Sequence, residues 1–145
     1  MVNSEDLRKI LSKCKTVAIV GLSGDPSKDS HRVAKYLKEH SFRIVPVNPT
    51  ADEILGEKSY KNLLDMPKEI QKTLEIVDIF RPSNEVLPII EQAIQLRKRY
   101  GLPYVVWMQL GIINEKAAEK AREAGLTVIM DKCMMREHKR FFGKE

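Results

Sequence analysis

At 145 residues the chain suits one domain, 1–145, with a real core and no room for a separate substrate domain. Its composition, 43% hydrophobic and 31% charged with 7 Gly and 7 Pro, is that of an ordinary soluble globular protein. A net charge of +5 suits an anionic partner, but the basic residues are scattered and only "REHKRFFGKE" is locally dense. Neither a basic stripe nor a nucleic-acid motif is present, so no nucleic-acid partner is expected and that segment reads as a loose, solvated tail. No apolar run approaches the ~20 residues that span a bilayer, so no membrane partner is expected. The N-terminus "MVNSEDLRKIL" lacks a signal-peptide core, and Val2 stands where myristoylation needs glycine; the expected localisation is cytoplasmic.

The chain opens on a helical segment, "SEDLRKILSKC", with Asn3 or Ser4 as cap and acids in its first turn. The first of five short β-branched runs follows, "TVAIVG" (16–21). Helix "SHRVAKYLKEH" comes next, with Val33, Ala34 and Leu37 on one face. The second run, "RIVPVN" (43–48), contains Pro46, which demotes it slightly or marks a bulge. "SYKNLLDMPKEIQK", broken by Pro67, predicts only a turn or two of helix. Strand "EIVDIF" (75–80) leads to helix "VLPIIEQAIQLRKRYG", with Pro88 in the first turn and Gly101 as its stop. Strand "YVVWMQ" (104–109), helix "NEKAAEKAREAG" capped by Asn114 and stopped by Gly125, and strand "LTVIMD" (126–131) complete the series.

Four of the five runs are near-continuous in apolar character, as parallel strands covered on both faces require. Strand–helix alternation with short loops predicts an α/β fold, a doubly wound five-stranded parallel sheet. Right-handed crossovers with the first strand central give the expected order 3-2-1-4-5. Ligands of such sheets sit at the carboxyl ends of the strands, so the functional loops are expected at 21–31, 48–58, 81–86 and 109–114.

The loop after the first strand almost spells a dinucleotide fingerprint, but Ser23 stands where the second glycine belongs. Gly21 ends the strand, and Gly24 lets the backbone approach an anion. With Asp29 or Ser30 as cap, the next helix points free N–H groups at the ligand. Arg32 lies in its first turn, with His31 beside it and Lys28 before it. A cation there costs ~0.3–1 kcal/mol unless an anion is bound nearby. A bound phosphate is therefore favoured over an Arg32 that faces solvent or pairs with Asp25 or Asp29. At the end of the second strand an NAD site usually carries an acid for the ribose hydroxyls. Asn48 stands there instead and tolerates a phosphorylated ribose, as found in both NADP and coenzyme A.

The series "VAIVGLSGDPSKDSHRVAKYL", "IVPVNP", "ILGEKSY", "VDIFRP", "VVWMQLGI" and "AREAGLTVIMDKC" resembles the stand-alone CoA-binding domain family. That family is similar to the N-terminal domain of the succinyl-CoA synthetase alpha subunit, and the resemblance runs from about Cys14 to Arg140. It implies a Rossmann-like, nucleotide-binding domain with coenzyme A as its cofactor. By position it implies Gly21, Ser23 and Gly24 facing the phosphates, with Lys28 and Arg32 supplying charge. Val47, Asn48 and Pro49 would line the adenosine side, and Phe80, Arg81 and Pro82 would continue the floor. Gln109, Leu110 and Gly111 would approach the pantetheine arm. The synthetases use a phosphorylated histidine in a different domain, which this chain lacks. His31, His40 and His138 all read as surface residues, and no base, nucleophile or metal cluster assembles a reaction centre, so no enzyme is expected.

Cys14 precedes the first strand and Cys133 follows the fifth, at opposite ends of strands about 15 Å long, which rules out a bridge without refolding. Cys133 falls on the ligand edge, where a packed thiol is favoured over a mixed disulfide with the CoA thiol. Trp107 and Met108 read as core. Phe141 and Phe142 stand ready to cover a sheet edge or a partner subunit, leaving a homo-oligomer open. Three functions survive: a non-catalytic CoA-binding protein, an NADP-binding redox protein or sensor, and an interaction domain without a nucleotide. The linked motifs favour the first.

Overall fold

The β-branched runs form strands because both sides of each are packed under helices. The computed structural model describes residues 2–143. Its main sheet contains β1 (Thr16–Val20), β2 (Arg43–Val47), β5 (Ile76–Ile79), β6 (Val105–Met108) and β7 (Thr127–Ile129), all parallel. A small ribbon, β3 (Glu53–Ile54) and β4 (Glu57–Lys58), turns on Leu55 and Gly56, both at positive φ. Helices α1 (Ser4–Lys13), α2 (Asp29–Glu39) and α6 (Met134–Phe142) cover one face, where Val17, Ile19, Ile76 and Trp107 are buried. The short α3 (Lys68–Gln71), α4 (Val86–Tyr100) and α5 (Glu115–Glu123) lie on the other side with Ala18, Val20, Val77 and Ile79. Asn3 caps α1 in a capping box with Asp6, Asn114 caps α5, and Gly101 ends α4 in the left-handed conformation. No helix among the described residues is long and apolar enough to cross a membrane.

The doubly wound parallel sheet is as expected, but the strand order is not. The observed order is β2-β1-β5-β6-β7, which is 2-1-3-4-5 for the five strands rather than 3-2-1-4-5. Pro46 gives the physical reason: an interior strand would leave a ladder acceptor facing a nitrogen with no hydrogen, so β2 belongs at an edge. The third strand is then free to pair directly with β1, and β5 becomes the centre of the sheet, buried at all four positions.

The charged C-terminal stretch is also not a loose tail. Met134–Phe142 forms α6, which packs against α1 and α2; Lys144 and Glu145 lie outside the described residues. Phe141 packs on the core beneath it rather than on a sheet edge, while Phe142 is 40% exposed. His138 is buried and hydrogen-bonded through Nδ1 to the Tyr36 hydroxyl at 2.8 Å, so it is not a surface residue. Burial, His40 and Lys15 hold its pKa below the usual histidine value. His40 is exposed, as expected, and stacks on Tyr36.

Both cysteines are free. Cys14 is buried at the end of α1, where desolvation and the nearby Glu75 carboxylate push its thiol up to about 11. At pH 8 that leaves about one thiol in a thousand as the reactive thiolate. A thiol-reactive reagent should therefore label the half-buried Cys133 first, with Cys14 following only on unfolding. Early labelling of Cys14, or an internal bridge in a peptide map, would contradict this arrangement.

Candidate functional site

The strand order places the switch point between β1 and β5, since the chain leaves them towards α2 on one face and α4 on the other. A cavity of about 400 Å³ opens there, within the range of small-molecule sites. Four of the expected residues line it: Gly21, Val47, Pro49 and Arg81. Gly21 has φ +88°, and a Cβ on it would stand 2.8 Å from the Phe80 carbonyl oxygen and 2.9 Å from Arg81 Cδ. Its backbone N–H donates to Val47 O at 2.9 Å, locking the ends of β1 and β2 together. Glycine is needed at this position for both conformation and space.

Beyond Gly21 the loop is held by its own polar side chains. Ser23 N donates to Ser30 Oγ at 2.9 Å, and Asp25 N donates to Ser23 Oγ at 3.0 Å. Asp25 accepts from the backbone and hydroxyl of Ser27, which hold its carboxyl below the usual value. Ser30 and His31 are buried, correcting the expectation of a surface His31. His31 Nδ1 lies 2.9 Å from Ser23 O, so the ring donates from Nδ1 and keeps Nε2 as its free nitrogen. Helix α2 starts at Asp29 with Lys28 as N-cap and no side-chain cap, so neither Asp29 nor Ser30 caps it. Gly24 has open space around its Cα. Lys28 is exposed. Arg32, also exposed, donates to Ser27 O at 2.9 Å and pairs with Asp29, the pairing weighed against a phosphate.

Asn48 does more than stand in for an acid. Its Nδ2 donates to Leu22 O at 2.9 Å, and its Oδ1 accepts from Thr50 N and Ala51 N. Donating and accepting at once, it clamps the loops after β1 and β2; a carboxylate has no hydrogen for Leu22 O. Phe80 is half-buried with its ring on the α1–α2–α6 side, and Pro82 is exposed as the cap of a short 3₁₀ turn, Ser83–Glu85. Arg81 forms an exposed ion pair with Glu85 at 2.5 Å.

Gln109 is turned inward and does not line the cavity. It is 3% exposed, donates to Asp78 Oδ1 at 2.6 Å and accepts from Met134 N at 3.4 Å. Leu110 is 55% exposed beside Gly111, whose N–H donates to Asp131 at 2.7 Å, and Ile113 at 47% extends an apolar lip at the strand ends. Asp78 itself, unremarked in the sequence, is fully buried at the centre of β5 with Oδ2 unpartnered. Burial pushes its carboxyl up to about 7, against the opposing hydrogen bonds from Gln109 and Ile79.

The expected loop 81–86 supplies Asn84 and Glu85 to the cavity, but the remaining walls fell outside the expected loops: Lys61, Asn62 and Leu63 on one side, and Pro88, Ile89 and Gln92 on the other. The misplaced third strand explains this, because it carried the start of α4 away from Gly21. No group of three His, Cys, Asp or Glu side chains among the described residues is placed to hold a metal ion.

A CoA binding domain model matches residues 15–139. The chain belongs to the CoA-binding domain family. The Bacillus subtilis (strain 168) protein YneT is 38% identical over 133 residues, covering 92% of each chain. An ADP-forming acetate–CoA ligase of Methanocaldococcus jannaschii is 39% identical over 133 residues, covering 87% of this chain but only 18% of the ligase. Among solved structures, a hypothetical protein from Pyrococcus horikoshii OT3 superposes with a TM-score of 0.87 at 42% identity, over 97% of this chain and 93% of that one.

Proposed function

We propose that this family member binds coenzyme A, or an acyl or disulfide derivative, in the cytoplasm and without catalysing a reaction. The observation that carries this reading is the cavity at the β1–β5 switch point, where Gly21 leaves the backbone bare. Lys61 and Arg81 line it, and the loop that leaves Gly21 leads to Lys28, the N-cap of α2, and Arg32 in the first turn of that helix. An adenosine group fits a cavity of about 400 Å³, a pyrophosphate suits the loop 21–32, and the apolar lip of Leu110 and Ile113 suits a pantetheine arm. Neither His31 nor His138 lines the cavity, so the residues that do supply no imidazole base.

Calorimetry with CoA, dephospho-CoA, NAD and NADP tests the assignment. CoA should bind most tightly and NAD poorly, because no acid stands at the end of β2 to hold ribose hydroxyls. NAD or NADP binding as well as CoA would overturn it. Arg32→Ala should weaken CoA binding roughly ten- to hundredfold, the effect of losing one charge-assisted hydrogen bond of ~1.5–3 kcal/mol. Its melting temperature should barely move, since the Arg32–Asp29 pair is exposed and such pairs contribute at most about 1 kcal/mol. A lower melting temperature with unchanged affinity would make Arg32 a structural residue and leave the anion to Lys28 and the backbone.

A further inference from the structure

The two edges of the sheet are finished differently. The outer side of β2 is closed: Tyr60 N donates to Pro46 O at 3.1 Å, and Asn48 N donates to Tyr60 O at 2.9 Å. At the other edge, β7 consists of Thr127, Val128 and Ile129, all β-branched, with neither Pro nor charge among them. Thr127 N donates to Tyr104 O at 2.9 Å, towards β6, so alternation along the strand turns the N–H and C=O of Val128 outward. No strand or bridge among the described residues pairs with that side. An open groove of about 1180 Å³ runs along it between α1 and α5, with Leu126, Val128 and Ile129 in its floor.

The walls of this groove carry a particular charge pattern. Asp6 and Lys9 line it from α1, Glu115 and Arg122 line it from α5, and Lys132 stands beyond the end of β7. Among the described residues, Lys9, Glu115 and Arg122 take part in none of the intrachain ion pairs. On each helix the acid comes first and the base follows, three residues later on α1 and seven on α5.

We propose that β7 pairs antiparallel with β7 of a second copy, across a two-fold axis at Val128, joining two five-stranded sheets into one of ten strands. Such an axis, normal to the sheet, keeps α1 beside α1 and α5 beside α5 and reverses their directions. Asp6 then faces Lys9 of the partner subunit, and Glu115 faces Arg122 of the partner subunit, each contact occurring twice. The pattern is self-complementary on both faces of the sheet. A ligand of one charge sign would leave half of these four groups unmatched, and β7, though short, carries none of the Pro, bulge or inward charge that blocks edge pairing. The carboxyl edge of each sheet stays free, so assembly is independent of ligand binding and the two are measured separately.

Sedimentation of the full chain tests this, with far-UV circular dichroism confirming the fold of each variant. The wild type should sediment at twice 16.7 kDa, with or without CoA. Val128→Pro removes the outward N–H, while also replacing a buried side chain, and should sediment as a monomer. Arg122→Glu should weaken the dimer at low salt, and Glu115→Arg combined with Arg122→Glu should restore it by exchanging the two charges. A wild type monomeric at every concentration overturns the proposal. So does a dimer unaffected by both Val128→Pro and Arg122→Glu, which would place the interface elsewhere.

Discussion

Replacing Asp78 with Asn should stabilise the protein strongly at pH 9 and only modestly at pH 5. Asp78 is fully buried on β5 between Ile19 and Trp107 of the neighbouring strands, with one side-chain partner, Gln109, and an unpartnered Oδ2. Desolvation raises its pKa from the ordinary 3.8 to about 7. Between those values the folded state holds a proton that the unfolded state has released. Stability contributed by the protonated carboxyl is therefore fully present below about pH 4 and lost as pH rises to about 7. The loss amounts to ~1.4 kcal/mol per pH unit, or roughly 4 kcal/mol in all. An amide has nearly the shape of the protonated acid, still accepts from Gln109, and does not titrate. Thermal unfolding should thus place the variant about 5 °C higher at pH 5, where ~1.6 kcal/mol is already lost, and about 13 °C higher at pH 9. A variant less stable at both pH values would mean that the buried carboxylate is compensated by something other than Gln109.

Asp78 also marks where sequence reading reached its limit. Between Val77 and Ile79 it reads as one polar residue in an apolar run, and only the placement of β5 at the sheet centre reveals how completely it is buried. Strands and helices were legible because each apolar run is long enough for its period to show, and because Asn3, Asn114 and Gly101 punctuate them by local chemistry. Helix α6 was not, since Arg136, Glu137, Lys139 and Arg140 mask the spacing of Met134 and His138, its buried positions. Strand order depends on pairing over long sequence separations, which periodicity does not encode. Yet Pro46 carried the decisive hint, because an interior strand has no place for it. Gly21 was found from the end of the first predicted strand, and Val47, Pro49 and Arg81 from the resemblance to the CoA-binding domain family. The rest of the cavity wall, Lys61 to Leu63 and Pro88 to Gln92, appears only when β5 stands beside β1. Asn48 was singled out for its place at the end of the second strand, but its hydrogen bonds to Leu22 and Ala51 belong to the folded chain alone.

Gly21→Ala should cost both stability and ligand binding, whereas Gly24→Ala should affect binding alone. The two glycines share one loop but stand in different surroundings. At Gly21 the φ of +88° is the left-handed region, which costs an L-residue roughly 1–2 kcal/mol. The added methyl also meets Phe80 O at 2.8 Å, a backbone atom fixed because Phe80 N donates to Val20 O at 2.8 Å. Arg81 Cδ, at 2.9 Å, is on a flexible side chain and can turn aside; Phe80 cannot. Strain and displaced backbone together should lower stability by about 3 kcal/mol, or roughly 10 °C in the melting temperature. The same displacement shifts the loop at the mouth of the cavity, so CoA affinity should fall as well. At Gly24 nothing lies within 4 Å of the new methyl, so stability should stay within about 0.5 kcal/mol. If the bare backbone there touches a phosphate, the methyl should still weaken CoA binding several-fold. Calorimetric CoA titration of both variants beside their melting curves separates the two roles. Full CoA affinity in a folded Gly24→Ala protein would move the phosphate away from Gly24 and towards the α2 N-terminus.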